Sequence, residues 1–158
     1  MEVIMKGNDK VIAKMNDLLS DELTAVSQYM VHSEMCANWG FTKLADAIEK
    51  RAIDEMKHAE MHIGRILFLE GTPIVSHLKE ICIGAEVEPQ LKNDHAAEDG
   101  AVKSYNDGIK LCVELGDNGT REMLESILKD EERHIDWIEA QMDQIKRMGV
   151  QNYLVEQI

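Results

Sequence analysis

With 30 acidic against 17 basic side chains in 158 residues, a formal net charge of −13, the chain offers no basic face for nucleic acid or an anionic membrane. A 44% hydrophobic share, few aromatics and only two prolines supply one packed domain over residues 1–158 and favour helix over sheet. Cys36, Cys82 and Cys112 are odd in number and form no C-x-x-C, no apolar run approaches about 18 residues, and the start Met1–Lys6 lacks a secretory signal's apolar stretch. The expectation is a cytoplasmic chain with free thiols.

In chain order, Asn8-Asp9 supplies caps for a first helix over about 8–39. Val11, Met15, Leu18, Glu22, Ala25 and Tyr29 recur at three and four, so Glu22 falls inside a stripe that should be buried. Gly40 reads as its stop. Thr42 is expected to cap a second helix over 42–70, with stripe Leu44, Ile48, Ala52, Glu55, His58 or Ala59, His62 or Ile63, Ile66 and Leu69. From Gly71 to about Glu86 runs the one long connection, about sixteen residues, interrupted by Pro73 and Gly84. Extended, it spans about 50 Å, longer than the roughly 42 Å of a 28-residue helix, so the second and third helices are expected to be parallel. Pro89 fits the first turn of a third helix over 87–116, with stripe Leu91, Glu98, Val102, Tyr105, Ile109, Cys112 and Leu115. Thr120 is expected to start a fourth over 119–148, with Met123, Ile127, Glu131, His134, Ile135, Ile138, Met142 and Ile145 inward and Gly149 closing. Residues 151–157 read as a short fifth helix, whose Tyr153, Leu154 and Val155, with Ile158 behind them, need something to pack on. The fold class is thus an all-α four-helix bundle with a long crossover.

A duplication organises the chain. Asp54-Glu55-x-x-His58 returns as Asp130-Glu131-x-x-His134 at an offset of 76 (131 − 55), and the same offset links Glu22 to Glu98, Tyr29 to Tyr105 and Gly40 to Gly116. Residues i and i+3 share a helix face, so each Glu-x-x-His pair can put one carboxylate and one imidazole on a single cation. A carboxylate buried without a partner costs several kcal/mol. Four glutamates against two divalent cations sum to zero. Oxygen-rich ligation with one nitrogen per metal suits iron or manganese rather than structural zinc. Tyr29 and Tyr105 lie two turns from Glu22 and Glu98; each reads either as an ordinary core tyrosine or as a hydrogen-bond partner of a bridging carboxylate. Asp54 and Asp130 point about 100° away from the glutamates that follow them, and either orient a neighbouring histidine or face solvent. His32, His77 and His95 read as surface residues, and His62 as structural.

With their context these residues resemble the bacterioferritins over nearly the whole chain. The likeness is carried by Met5-Lys6-Gly7, by Ile53 to Glu60, by Arg65 to Gly71, by Asp130 to Trp137 and by Gly149 to Leu154. It makes Met1–Ile4 a short extension. The resemblance implies a ferritin-like bundle, assembled as a homo-oligomer of 24 subunits, that oxidises Fe(II) with dioxygen or peroxide and stores the ferric mineral. It implies Glu22, Glu55, His58, Glu98, Glu131 and His134 as ligands of two irons, with Trp137 beside them. Glu55 and Glu131 are the candidates to bridge both metals. It also implies Met56 as axial ligand of a b-type or related haem shared by two subunits, and a small ferredoxin as reductant. Met56 directly follows Glu55 and so leaves the helix on another face, as an interface ligand should; paired Met would leave the haem iron no open position. Two departures stand out: Lys50 where some relatives carry an iron-binding histidine, and His62 where some carry tyrosine. Readings from other classes are a di-iron or di-manganese oxidase or catalase, and a haem electron-transfer bundle.

Overall fold

The computed structural model describes residues 6–158; residues 1–5, where the expected extension falls, lie outside the described residues. The elements are α1 (Asp9–Asn38), α2 (Thr42–Phe68), α3 (Val87–Glu114), α4 (Asn118–Met148) and the short α5 (Val150–Val155), with no strand among the described residues. No described helix is long and apolar enough to cross a membrane.

Helix ends show where local chemistry acted and where tertiary structure replaced it. Asn8 caps α1 by accepting from the Lys10 N–H. Gly40 ends α1 at φ 85°, and the Phe41 N–H closes back onto Cys36 O. Gly116 repeats the device at φ 71°, with Asp117 N–H on Cys112 O. Thr42 does not cap α2: Phe41 holds that position without a side-chain bond, and Lys43 N–H instead donates to Gln157 O from the C-terminal segment. A carbonyl brought in by the fold thus does the work expected of the Thr42 hydroxyl. Nor does Thr120 cap α4. Asp117 does, accepting from the Thr120 N–H and hydroxyl, and Thr120 is buried in the first turn.

The crossover fixes the topology. Asn16 bonds Thr72 O and the Ile74 N–H, Ser20 bonds His77 O, Thr24 accepts from Lys79 N–H, Gln28 from Cys82 N–H and His32 from Gly84 N–H. Rising numbers on α1 meet rising numbers on the crossover, so the connection runs the length of α1 in α1's own direction. It delivers α3 antiparallel to α1, with Cys36 near Gln90, Tyr29 near Glu98 and Glu22 near Tyr105. Helices α2 and α3 are therefore parallel, as the length of the connection allows.

The core is split in two. One apolar cluster gathers Met15, Leu18 and Leu19 of α1, Ile66 of α2, Cys112 of α3 and Leu124 and Ile127 of α4. The other gathers Tyr29 and Cys36, Leu44 and Ile48, Leu91, and Ile138 and Ile145. Each fully buried aliphatic side chain contributes about 1.5–3 kcal/mol. On each of the four long helices the segment between these clusters carries a glutamate, joined on α2 and α4 by a histidine. Leu115 departs from its expected stripe: it lies past the last inward turn, beside Gly116, and is exposed. In α5, Tyr153 is buried and donates to Gln141 Oε1, while Val155 at its end and Ile158 beyond it remain open at 64% and 71% exposure.

Candidate metal centre

Between the two apolar clusters, Glu22 (α1), Glu55 and His58 (α2), Glu98 (α3), and Glu131 and His134 (α4) meet, none more than 7% exposed. Their donor atoms fall into two groups, Glu22–Glu55–His58–Glu131 and Glu55–Glu98–Glu131–His134, each with one donor per residue within 4.8 Å of the others. Glu55 and Glu131 belong to both. All six residues singled out in the sequence are brought together, and the two expected to be shared are the two in common.

The offset of 76 becomes a pseudo-twofold relation in space, in which each half of the chain supports the other. His58 Nδ1 faces Glu55 Oε2 and Glu131 Oε1, both at 3.0 Å, while its Nε2 lies 2.9 Å from Asp130 Oδ2. His134 Nδ1 faces Glu55 Oε1 at 3.1 Å and Glu98 Oε1 at 3.3 Å, while its Nε2 lies 3.1 Å from Asp54 Oδ2. Each aspartate thus holds the imidazole of the other motif, by its outer nitrogen, leaving Nδ1 directed at the glutamates. The tyrosines cross over in the same way. Tyr29 OH donates to Glu98 Oε1 at 2.5 Å and Tyr105 OH donates to Glu22 Oε1. Of the two readings open in the sequence, they are hydrogen-bond partners of carboxylates, but of the unshared glutamates of the opposite helix and not of the shared pair.

Protons and imidazoles offset the carboxylate charge here. Burial pushes all four carboxyls up. At Glu55 and Glu131 it prevails, reinforced by neighbouring carboxylates, and holds both well above the usual range. Glu22 and Glu98 settle below their usual values because His58 and Glu55 on one side, and His134 and Glu131 on the other, hydrogen-bond to them. Burial alone would depress His58, but its carboxylate partners Glu131 and Glu22 outweigh it and raise the imidazole to about 10. Glu98 Oε2 has no hydrogen-bond partner, and Glu131 Oε1 sees His58 without hydrogen-bond geometry. Such oxygens, in a buried, acidic and oxygen-rich layer, fit a pair of hard divalent cations.

A pH dependence follows for the metal-free protein. His58, Glu55 and Glu131 all have raised folded-state values, so their stabilisation is full below their ordinary values and is lost as pH climbs through the raised ones. The lowered Glu22 and Glu98 act oppositely, losing theirs only as pH falls into the acid range. Tm of chelator-treated protein is therefore expected to fall between pH 6.5 and about pH 10, and the fall to shrink with divalent cation present, since the cation replaces the protons. A Tm that stays level or rises over that window in the metal-free protein contradicts this.

A cavity of about 390 Å³ opens between α1 and α3 above the glutamates. Small residues, Ala25, Ala97, Gly100 and Ala101, line it; Glu22, Glu55, Glu98 and Glu131 form its floor; Asp21, Lys79 and Glu80 stand at its rim. On the α2–α4 side a second depression of about 520 Å³ reaches His134 and Asp54 between Lys50, Arg51, Arg133 and Trp137. The two approaches differ in sign: acidic toward α1–α3, rich in cationic side chains toward α2–α4.

Other residues depart from expectation. His32 is not on the surface but fully buried. Its Nε2 accepts from Gly84 N–H (3.1 Å), so Nδ1 carries the proton and donates to Asp94 Oδ1 (2.8 Å). Asp94 Oδ1 also accepts from Gln28 (2.8 Å), and Asp94 Oδ2 lies 3.6 Å from Arg51. Arg51 is 4% exposed, with its guanidinium against the rings of Trp137 (4.3 Å) and Tyr29 (5.4 Å). This buried network went unread in the sequence. Its only trace there is spacing, since Asp94 precedes Glu98, and Arg51 precedes Glu55, by one turn. His77 is exposed as expected, and His95 is half-buried against Glu139. His62 is fully buried, 2.6 Å from Tyr105 OH, and burial lowers it to about 4. Met56 is 46% exposed, on a different face from the buried Glu55 and His58. The three thiols are free, and burial pushes those of Cys36 and Cys112 up to about 11.

Comparison with known proteins bears on the whole bundle. The ferritin-like domain family matches residues 12–148. A bacterioferritin of Mycolicibacterium paratuberculosis is 40% identical over 149 residues, covering 94% of each chain. Bacterioferritins of Rhodobacter capsulatus and Brucella melitensis are 41% and 39% identical, covering 94% of this chain and 92% of theirs. A bundle of this topology, matched over nearly its whole length, belongs to the ferritin-like family and, within it, to the bacterioferritins.

Proposed function

We propose that this chain stores iron, oxidising Fe(II) to Fe(III) at the six-residue centre and holding the mineral in a closed shell of 24 copies. The observation that carries the reading is the pair of donor groups sharing Glu55 and Glu131. Two Fe(II) ions bound there would each give up one electron to dioxygen or peroxide.

The chain's own residues supply the rest. The net charge of −13, repeated around a shell, draws cations in, and the acidic rim of the α1–α3 cavity leads them to the glutamates. Arrival of a cation displaces the protons held on Glu55, Glu131 and His58 Nδ1. Asp130 and Asp54 keep the outer imidazole nitrogens protonated, so Nδ1 is the nitrogen presented to the metal. Tyr105 and Tyr29 hold Glu22 and Glu98 in place through their hydroxyls. Lys50, Arg51 and Arg133 make the α2–α4 side a poor route for a cation.

The shell and the storage role are tested together. A 24-mer of a 17.9 kDa chain elutes at about 430 kDa, and after aerobic Fe(II) loading the iron should co-elute with it. Peroxide turnover by a small oligomer that accumulates no iron would favour a catalase instead. The exposed thioether of Met56 fits an axial haem ligand at a two-subunit interface, where the group would carry electrons between mineral and a reductant. Met56→Ala protein is expected to purify without haem but with its Fe(II) oxidation rate unchanged. Survival of a low-spin haem spectrum in that variant would remove Met56 from the role.

A further inference from the structure

Lys79 stands at the rim of the α1–α3 cavity, where the crossover passes over α1. Its backbone N–H donates to Thr24 Oγ1 at 2.8 Å, so the residue is anchored independently of its side chain. Its ammonium reaches Asp21 Oδ1 at 2.5 Å and Asp17 Oδ1 at 2.8 Å, one turn apart on α1. The other oxygen of Asp17 lies 3.7 Å from Lys14, whose ammonium donates to Ser104 Oγ on α3. Glu80 is the remaining charge at the rim. A half-exposed ion pair of this kind adds little to folding. Its position over the passage is the more telling fact. Any cation bound for the glutamates meets carboxylates that an ammonium already occupies.

We infer that Lys79 is a gate on cation access: its ammonium holds Asp21 and Asp17 until a divalent cation takes the Asp21 carboxylate and the lysine stem swings into solvent. The inference rests on the two-metal reading and adds to it a residue that sets the rate of entry and the charge it favours. A fixed unit charge about 10 Å from a divalent ion in water opposes its approach by about fourfold in rate. Removing the ammonium also leaves Asp17 and Asp21 free to attract.

The test uses Co²⁺ and the assembled, metal-free protein, following by stopped flow the visible absorption that Co²⁺ acquires among oxygen and nitrogen ligands. Lys79→Gln is expected to take up Co²⁺ about fourfold faster at low ionic strength, with the same final absorption as wild type. Lys79→Arg should keep the wild-type rate, and adding Asp21→Asn to Lys79→Gln should cancel the acceleration. The difference should vanish near 1 M salt, where the screening length is about 3 Å. Equal or slower uptake by Lys79→Gln, with normal final absorption, overturns the gate and leaves the two-metal centre standing. Wild-type protein that takes up no Co²⁺ overturns the centre and the gate together.

Discussion

Glu55→Ala should abolish the fast phase of aerobic Fe(II) oxidation, lowering its rate by about 100-fold or more, while the protein remains folded and assembled. Partners that merely orient a ligand are worth about 10–100-fold, and Glu55 offers an oxygen to each of the two donor groups. The metal-free protein should still fold without it, because burial and neighbouring carboxylates already disfavour its charge, although His58 and His134 each lose one facing oxygen. Glu22→Ala and His58→Ala sharpen the test. Each dismantles one group and leaves Glu55, Glu98, Glu131 and His134 intact. Co²⁺ titration should then find two ions per wild-type chain, one in Glu22→Ala or His58→Ala, and none bound tightly in Glu55→Ala. The rapid oxidation, which needs two electrons, should be lost in all three. An unchanged stopped-flow fast phase in Glu55→Ala would remove the site assignment outright.

How much of this could be read from the sequence depends on whether an interaction repeats. Glu22, Glu55, His58 and their counterparts were legible because each breaks an apolar stripe and each recurs at one offset, so burial and duplication point the same way. The crossed pairings of Asp54 with His134 and of Asp130 with His58 were half legible: periodicity gives the direction of a side chain, but not which helix it meets. Thr42 and Thr120 read as caps because propensity is local, whereas the groups that cap those helices are Gln157 O and Asp117, one of them supplied by the far end of the chain. Arg51, Asp94, His32 and Gln28 have no duplicate. Their partners lie on other helices, and a lone arginine or histidine at helical spacing is indistinguishable in sequence from a solvated one.

That unread network should prove the larger contributor to stability. Asp94→Ala is expected to cost about 3–5 kcal/mol, the usual penalty for leaving one member of a buried pair uncompensated, or roughly 10 °C in Tm. The carboxylate accepts from Gln28 and His32 and faces Arg51, so its loss takes a hydrogen-bond partner from two buried groups and the countercharge from a third. Two of these also accept from the crossover, at Cys82 and Gly84, so the connection should loosen with them and exchange its amide hydrogens faster there. The charge itself can be separated from the rest. Arg51→Met in the Asp94→Ala background removes the stranded guanidinium and keeps an apolar side chain between Trp137 and Tyr29. If the buried cation dominates, that double variant should recover about half of the loss or more, because replacing both partners with apolar groups is commonly near neutral. The six candidate metal ligands are untouched, so Fe(II) oxidation below the unfolding range should stay close to wild type in both variants. A Tm within about 2 °C of wild type for Asp94→Ala would mean that the Arg51–Asp94 pairing carries little, and that the rings of Trp137 and Tyr29 alone suffice to hold the arginine.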